Sequence, residues 1–250
     1  MRIKIAIYNP NHDSILLPTG YFYLIQSMIY HSLEHGVADF LHDNPFPFDK
    51  YKFKLFSFSQ ILEKGVLKSN KNKKKFVFPK KIHIIVSSSV DDVLLSFVKI
   101  LSKRGEVRLG NENLLVSGIE VLFQPILNEN HIIKTLSPIT IHTTYYDEKK
   151  YTYFYSPEEK EFPQLLEENL IKKFVVMNKN NTLSDNSDNF FFSIIPIKTW
   201  SRGVYYKNFF VQGWEGTFLL KTNKAFMQVA YDLGLGARNS AGFGLFDIIE

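Results

Sequence analysis

The chain has 250 residues and no cysteine, with 45% hydrophobic and 22% charged residues. This composition is typical of a globular protein with a sizeable core, and it excludes a disordered chain, disulfides and thiolate metal sites. Apolar runs stay shorter than the roughly eighteen residues that cross a bilayer, and the first residues lack the pattern of a signal peptide. We therefore expect a cytoplasmic protein without membrane contact.

The charge is unevenly placed along the chain. The formal net charge is +5, and residues 1–125 hold 17 Lys and Arg against 11 Asp and Glu, whereas the remainder holds 13 against 14. A basic half favours a polyanionic partner such as nucleic acid. The lysine run at Lys71, Lys73, Lys74 and Lys75 is equally compatible with a solvated loop.

The first half predicts six elements in the order strand, helix, strand, strand, helix, strand. They cover residues 2–8, 21–36, 52–62, 74–88, 91–105 and 113–123. Strands follow from two-residue alternation and helices from apolar spacing of three and four. We predict that the first helix ends at Gly36 and that Asp91 or Asp92 caps the second. This order is that of a ferredoxin-like unit.

The second half predicts a looser copy of the same order. Its elements are a strand over 137–146, a helix over 157–174, strands over 190–197 and 205–222, a helix over 223–236 capped by Asn223, and a strand over 241–249. The polar stretch 178–189 is predicted to be a surface loop. We predict an α+β protein of two tandem ferredoxin-like (RRM-like) domains, 1–126 and 127–250, with antiparallel sheets and helices on one face.

The segment GLGARNSAGFGLFDIIE, residues 234–250, concentrates four of the 13 glycines. A dinucleotide-binding loop needs a strand before its glycines and a helix after them, and here that order is reversed. A P-loop is also excluded, because no Gly-Lys-Ser/Thr follows. The remaining interpretation is an anion-binding loop, in which glycine backbone N–H groups, Arg238 and Asn239 contact phosphate or base. A tight turn would explain Gly234 or Gly236 but not both glycine pairs.

At this point the sequence resembles a known family. The spacing of the glycines Gly234, Gly236, Gly242 and Gly244 resembles the signature of the repeat-associated Cas proteins. LPTGYFYLIQSMIYHSL (17–33) is similar to the first-helix segment of the CRISPR-associated endoribonucleases that cut repeat transcripts, the sixth Cas family. ADFLHDNPF (38–46) and KYKFKLFSFSQIL (50–62) resemble that family's His-then-Lys-Leu-Phe stretch. The resemblance covers the start and end of the chain, and the middle only by architecture.

The resemblance implies a metal-independent, cofactor-free endoribonuclease that cleaves CRISPR repeat RNA in precursor transcripts. Its products would be a 2′,3′-cyclic phosphate and a 5′-hydroxyl. By motif, Tyr30, His42 and Lys54 take the catalytic places. His suits proton transfer near neutral pH, and Lys supplies positive charge for the transition state. RNA binding is predicted for the glycine-rich loop with Arg238 and Asn239.

Several alternatives stay open. Lys50 and Lys52 are also predicted to bind RNA, and either could replace Lys54 as the charged partner, just as His31 could replace Tyr30 at the cleft. His31 and His35 are four residues apart on one predicted helix, but without a third ligand we predict no metal site. A non-catalytic RNA-binding subunit and a nucleotide-dependent small-molecule enzyme are the competing functions. Other Cas proteins of an effector complex and a second copy of the chain are further candidate partners.

Overall fold

A computed structural model describes residues 1–43, 46–49, 51–70, 73–147, 149–178 and 190–249. Its helices are α1 (Phe22–His31), α2 (His35–Asp43), α3 (Asp91–Arg104), α4 (Glu161–Asn178) and α5 (Lys224–Leu233). The strands of the first half are β1 (Arg2–Tyr8), β2 (Ser14–Pro18), β3 (Phe46–Phe48), β4 (Tyr51–Phe53), β5 (Phe56–Phe58), β6 (Val66–Asn70), β7 (Lys73–Pro79), β8 (Lys81–Ser88), β9 (Glu106–Leu109) and β10 (Glu112–Val121). Those of the second half are β11 (Asn130–Thr135), β12 (His142–Tyr146), β13 (Lys150–Phe154), β14 (Phe192–Tyr206), β15 (Phe209–Thr222) and β16 (Phe246–Ile248). None of these helices has both the length and the apolar character needed to span a bilayer.

The first sheet has the strand order β5-β8-β1-β10-β9, and every pairing is antiparallel. Without the edge strand β9, this is the ferredoxin-like order, in which the first strand lies between the third and the fourth. Ile3, Ile5 and Ile7 of β1 are fully buried, as the alternation of the sequence predicts. A smaller sheet, β2-β7-β6, and the hairpin β3-β4 are additions to this unit.

The second sheet has the order β14-β15-β11-β16 and repeats the ferredoxin-like arrangement. The predicted fold class is therefore confirmed. Its first strand is β11, however, and not the predicted 137–146. The prediction was wrong because two of the three buried side chains of β11, His131 and Thr135, are polar, so the strand lacks an apolar alternation. The second half of the predicted strand instead forms β12, which pairs with β13 in a hairpin.

The first predicted helix is broken into two. α1 ends at His31, and Gly36 lies inside α2 rather than at a helix end. The amide of Ser32 bonds to two carbonyls of the last turn, which tightens the backbone and stops the helix. His31 and His35 consequently lie on different helices, so the shared helix face predicted for them does not exist.

Helix capping also differs from the prediction. Val90 precedes α3, and Asp91 and Asp92 occupy its first turn, where negative charge favours the helix dipole. Asn223 does precede α5, but its Oδ1 accepts a hydrogen bond from the Phe191 amide at 3.0 Å, and its side chain makes no cap bond. Neither helix start therefore has the side-chain cap bond that the sequence predicts.

Two predicted polar segments, the lysine run 71–75 and the loop 178–189, lie only partly within the described residues. Lys74 and Lys75 are exposed on strand β7 rather than in the loop considered above, whereas Lys71 lies outside the described residues. The predicted loop 178–189 lies outside them too, except for its first residue.

The two domains are joined by buried polar contacts. Arg2 of β1 is 3% exposed and donates to the carbonyl of Phe246 in β16 at 2.7 Å and to that of Tyr231 in α5. Ser87 of β8 donates to the carbonyl of Asp232 at 2.7 Å. Strand β10 ends at Val121 and β11 begins at Asn130, and we keep the division after residue 126 as a proposal.

Candidate active site

A cleft of about 680 Å³ opens where the two domains meet. Its walls are the segment 52–56, the start of β12, one face of α4 and the glycine-rich loop. The cationic side chains that line it are Lys52, Lys54, Lys172, Lys173 and Arg238. Among its described lining residues, the one carboxylate is Glu168, which pairs with Lys172 at 3.6 Å. This excess of positive charge favours an anionic ligand.

Two of the predicted catalytic residues meet at the rim of this cleft. Lys54 follows β4, and its Nζ donates to the hydroxyl of Tyr30 on α1 at 2.9 Å. Lys54 Nζ also lies 5.0 Å from the centroid of the Tyr30 ring. Burial lowers the pKa of Lys54, and the nearby Lys207 lowers it further. Burial and Tyr206 raise the pKa of Tyr30, so its phenol stays neutral and can donate its proton to an acceptor.

A second set of hydrogen bonds, one helical turn away on α1, links this helix to β14 and to the glycine-rich loop. One helical turn before Tyr30, Gln26 accepts a hydrogen bond from the hydroxyl of Tyr206, at the end of β14. The amide of Gln26 donates to the carbonyl of Ser240 at 2.5 Å. The sequence analysis did not single out Gln26 or Tyr206. The spacing of Gln26 from Tyr30, four residues on one helix, was the available signal.

Backbone conformation and close packing explain all four glycines of the loop. Gly234, Gly236, Gly242 and Gly244 all have positive φ, between +71° and +92°, where other residues are strained. A Cβ on Gly244 would lie 1.9 Å from the carbonyl oxygen of Leu235. The turn interpretation therefore accounts for both glycine pairs, and their contact with RNA stays a prediction.

Most loop amides are used inside the protein. Those of Leu235, Ala237 and Gly244 donate to backbone carbonyls at 2.8–2.9 Å, so they cannot cradle an anion as predicted. Within the described part of the chain, the backbone amides of Gly236 and of residues 238–240 have no backbone acceptor, and these residues line the cleft. An anion would therefore be bound by these four amides, of which Gly236 supplies one.

Arg238 and Asn239 occupy this segment, and in the described part of the chain the Nε of Arg238 has no acceptor. Arg238 has a positive φ of +59°, and its guanidinium carbon lies 4.8 Å from the centroid of the Phe209 ring. Burial lowers its pKa. The amide nitrogen of Asn239 instead donates to the carbonyls of Leu235 and Phe243, at 3.1 and 2.9 Å. Asn239 thus holds the loop together.

A buried lysine supports the loop from below. Lys173 of α4 is 2% exposed, and its Nζ donates to the carbonyls of Gly234 and Gly236 at 2.7 and 2.9 Å. Burial lowers its pKa to about 7. The sequence analysis missed Lys173, although it lies on the apolar stripe of α4 with Leu166 and Leu170. A lysine at helical spacing among buried leucines was the signal.

His42 is placed differently from the other predicted catalytic residues. It lies near the end of α2 with its side chain 75% exposed, and its Nδ1 is 2.6 Å from Asp43 Oδ1. The described residues that line the cleft do not include it, whereas they do include Lys52. Lys50 lies outside the described residues. His31 bonds to the carbonyl of Ser27 on the exposed side of α1.

A second histidine lies in the cleft itself. His142 is the first residue of β12, and its ring packs 5.5 Å from that of Phe154. Burial lowers its pKa to about 4, with a contribution from the charge of Arg238. Asn169 of α4 lines the same cleft. Neither residue has a sequence motif, which is why the sequence analysis passed over both.

Within the described residues, no three His, Asp or Glu side chains come close enough to hold a metal ion.

Two family models match the chain: "CRISPR associated protein Cas6, C-terminal" over residues 122–248 and "CRISPR-associated protein Cas6, N-terminal" over residues 16–120.

The chain belongs to the Cas6 family. The resemblance seen in the sequence is thereby confirmed. A relative named CRISPR-associated endoribonuclease Cas6 1, from Methanocaldococcus jannaschii, is 27% identical over 255 residues, which cover 100% of this chain and 93% of the relative. The CRISPR-associated endoribonuclease Cas6 of Pyrococcus furiosus is 26% identical and is covered to 90%, with 99% of this chain.

A solved structure confirms the Cas6-type fold. It is described as a Cas6-related gene from Pyrococcus furiosus and matches with a TM-score of 0.82 at 23% identity, covering 100% of this chain and 98% of its own. The paired ferredoxin-like arrangement of this Cas6-family chain is therefore shared along its whole length.

Proposed function

We propose that this chain is an endoribonuclease that cleaves CRISPR repeat RNA in precursor transcripts to make guide RNAs, without a metal ion. Two relatives that span its length carry the name CRISPR-associated endoribonuclease. The observation that carries the proposal is the contact of Lys54 with Tyr30 beside a positively charged cleft. In this proposal the domain 1–126 holds the chemistry, and the domain 127–250 contributes the glycine-rich loop.

The reaction uses the nucleophile that RNA itself carries. The 2′-hydroxyl oxygen attacks the adjacent phosphorus, the bond from phosphorus to the 5′-oxygen breaks, and a 2′,3′-cyclic phosphate and a 5′-hydroxyl result. One proton leaves the 2′-oxygen and one reaches the leaving 5′-oxygen, so no water is consumed. Lys54 stabilises the charge that develops on the phosphorane oxygens. Tyr30, neutral at pH 7, donates a hydrogen bond that holds the phosphate in line.

His42 is proposed to accept the proton of the 2′-hydroxyl and to pass a proton to the leaving 5′-oxygen. Its Nδ1 is 2.6 Å from Asp43 Oδ1, which orients the ring and leaves Nε2 for the substrate. Because the ring is exposed on α2, the RNA backbone has to run from the cleft across this helix to reach it. The proposal therefore predicts a substrate path that extends beyond the cleft.

Labelled repeat RNA, incubated with the pure protein in EDTA, tests the reaction. We expect one cut whose products carry 2′,3′-cyclic phosphate and 5′-hydroxyl ends. A 2′-deoxy substitution at the cut site should abolish cutting without loss of binding. Tight binding without product, from RNA with or without that 2′-hydroxyl, would instead support the non-catalytic subunit, and a requirement for magnesium would contradict the mechanism.

The role of His42 is tested with a matched variant on the same helix. His42→Ala should slow single-turnover cleavage by about 10²–10⁴-fold, the usual loss for a proton-transfer group, and leave the Kd for RNA nearly unchanged. His35→Ala removes another exposed histidine of α2 and should change neither. Undiminished cutting by His42→Ala would remove His42 from the mechanism and leave the Lys54–Tyr30 pair to be tested by Lys54→Met.

Other Cas proteins of an effector complex and a second copy of the chain stay proposed partners. Light scattering of the purified protein, with and without repeat RNA, measures whether the chain pairs with itself.

A further inference from the structure

Three buried polar atoms without a hydrogen-bond partner belong to residues that line the cleft. They are His142 Nδ1, Asn169 Oδ1 and Arg238 Nε. The large majority of buried polar side-chain atoms in folded proteins do have a partner. Within the described part of the chain eight such atoms lack one, and three of the eight are brought to this one place. A ligand that draws these half-buried side chains toward the cleft and supplies complementary groups accounts for their clustering.

The chemistry of the three groups defines that ligand. Arg238 Nε can only donate, Asn169 offers an acceptor next to a donor, and a neutral imidazole offers one of each. His142 is neutral at pH 7 because burial and the charge of Arg238 hold its pKa near 4. Paired donors and acceptors beside a cation match the edge of a nucleobase with its phosphate. They do not match an aliphatic or purely anionic ligand.

The surroundings fit one nucleotide. The cleft volume of about 680 Å³ lies within the usual range of about 300–1,000 Å³ for small-ligand sites. Phe154 packs on the His142 ring and Phe209 lies near the Arg238 guanidinium, so aromatic rings support both side chains. The exposed ring of Tyr146 lines the same cleft and offers a surface on which a base can stack.

We propose that His142, Asn169 and Arg238 form a subsite that holds one unpaired nucleotide of the bound RNA. His142 and Asn169 contact the edge of its base, and Arg238 contacts its phosphate. The subsite rests on the proposed function, because it takes RNA as its ligand. It adds a specificity-determining position, separate from the cutting residues, on the side of the cleft formed by the C-terminal domain.

The source of the nucleotide follows from what adjoins the subsite. Lys52 and Lys54 line the same cleft on the opposite domain, and each is suited to a further phosphate. A free nucleoside monophosphate carries one phosphate, whereas a nucleotide chain carries one at every position. A polynucleotide that crosses the cleft satisfies the three orphan atoms and these lysines together.

The test couples protein variants to RNA variants in a binding assay. The RNA is a repeat with a 2′-deoxy sugar at the cut site, in which each unpaired base is replaced in turn by an abasic residue. At one position, removal of the base should weaken binding to the natural protein about tenfold to a hundredfold, as expected for a lost base contact. In Asn169→Leu and in His142→Phe, binding of intact RNA should fall by a similar factor, and the abasic change at that position should cost nothing more.

A matched variant separates this effect from the loss of any buried polar atom. Asn178 also lies on α4 and has a buried Oδ1 without a partner, but it does not line the cleft. Asn178→Leu should leave both the Kd and the abasic pattern unchanged. Thermal melting checks that each variant folds, and Asn169→Ser and His142→Gln replace any variant that does not.

Two outcomes overturn the subsite. If the losses of binding free energy caused by the variants and by every abasic position simply add, these residues contact no base, and water is the hydrogen-bond partner of the three atoms. If adenosine, guanosine, cytidine or uridine 5′-monophosphate binds with micromolar affinity that both variants abolish, while the RNA shows no coupled position, the ligand is a free nucleotide. Binding is measured on uncut RNA, so the two proposals are tested separately. A coupled position without any cleavage would support the subsite and reject the proposed reaction. Cleavage without a coupled position would support the reaction and reject the subsite.

Discussion

Replacement of the buried Lys173 should change how the stability of the protein depends on pH. Its ammonium group donates to two carbonyls of the glycine-rich loop, at 2.7 and 2.9 Å. No carboxylate pairs with it among the described residues. Burial lowers its pKa to about 7, whereas a lysine in an unfolded chain has a pKa of about 10.4. The two states therefore bind a different number of protons between these values.

The sign of the effect follows from that difference. Between pH 7 and about 10.4 the unfolded state holds the proton more tightly, so the free energy of unfolding rises with pH, by at most about 1.4 kcal/mol per unit. The cost of burying the charge is complete below pH 7 and absent above about 10.4. Lys173→Met has no charge to bury. From pH 6 to pH 9, the free energy of unfolding of the natural protein should therefore rise relative to that of this variant by up to about 3 kcal/mol.

Urea unfolding at pH 6, 7.5 and 9 measures this difference. At pH 6 the variant loses two hydrogen bonds to the loop but also loses a buried charge, and these effects oppose each other. Lys172→Met is the matched control, because its side chain is partly exposed and paired with Glu168 at 3.6 Å. It should shift by less than about 0.5 kcal/mol over the same range. Parallel curves for the natural protein and Lys173→Met would refute a depressed pKa for Lys173.

Two further predictions concern backbone space and the domain junction. Gly244→Ala places a Cβ 1.9 Å from the carbonyl oxygen of Leu235 and should lower the free energy of unfolding by about 3 kcal/mol or more. The control Gly105→Ala, at φ +67° with no atom within 4 Å of its Cβ, should lower it by about 1 kcal/mol. Equal losses would contradict the close packing of the loop. Arg2→Met leaves two buried carbonyls of the C-terminal domain without the Arg2 donor and should lower the free energy of unfolding in urea by about 3 kcal/mol. The control Lys4→Met, which removes the exposed pair with Glu120, should change that free energy by less than about 0.5 kcal/mol. An Arg2→Met variant as stable as the natural protein would show that this contact does not hold the domains together.

The succession of strands and helices could be predicted because it depends on local periodicity. In β1 and β8, isoleucine or valine side chains recur at every second position and are buried, and in α3 the buried side chains lie three and four residues apart. That pattern is visible in the residues themselves. β11 was missed where burial and hydrophobicity disagree, since His131 and Thr135 are buried polar residues. The break of the first helix at Ser32 was missed because a helix end depends on backbone hydrogen bonds as well as on glycine.

The candidate site divides in the same way. Tyr30, His42 and Lys54 could be named from short motifs, since family resemblance resides in contiguous residues. Their arrangement could not, because the contact of Lys54 with Tyr30 and the exposure of His42 depend on how α1, α2 and the strands pack.

By itself, then, the sequence determined the family and the ferredoxin-like fold class, and it supplied Tyr30, His42 and Lys54 as candidates for the cutting chemistry. Only the tertiary structure decided that Lys173 supports the glycine-rich loop and that His142, Asn169 and Arg238 share one cleft. These residues lie far apart along the chain, in segments without a common motif. Side chains from such segments meet only when two domains pack, because burial of apolar surface, not local pattern, sets that packing.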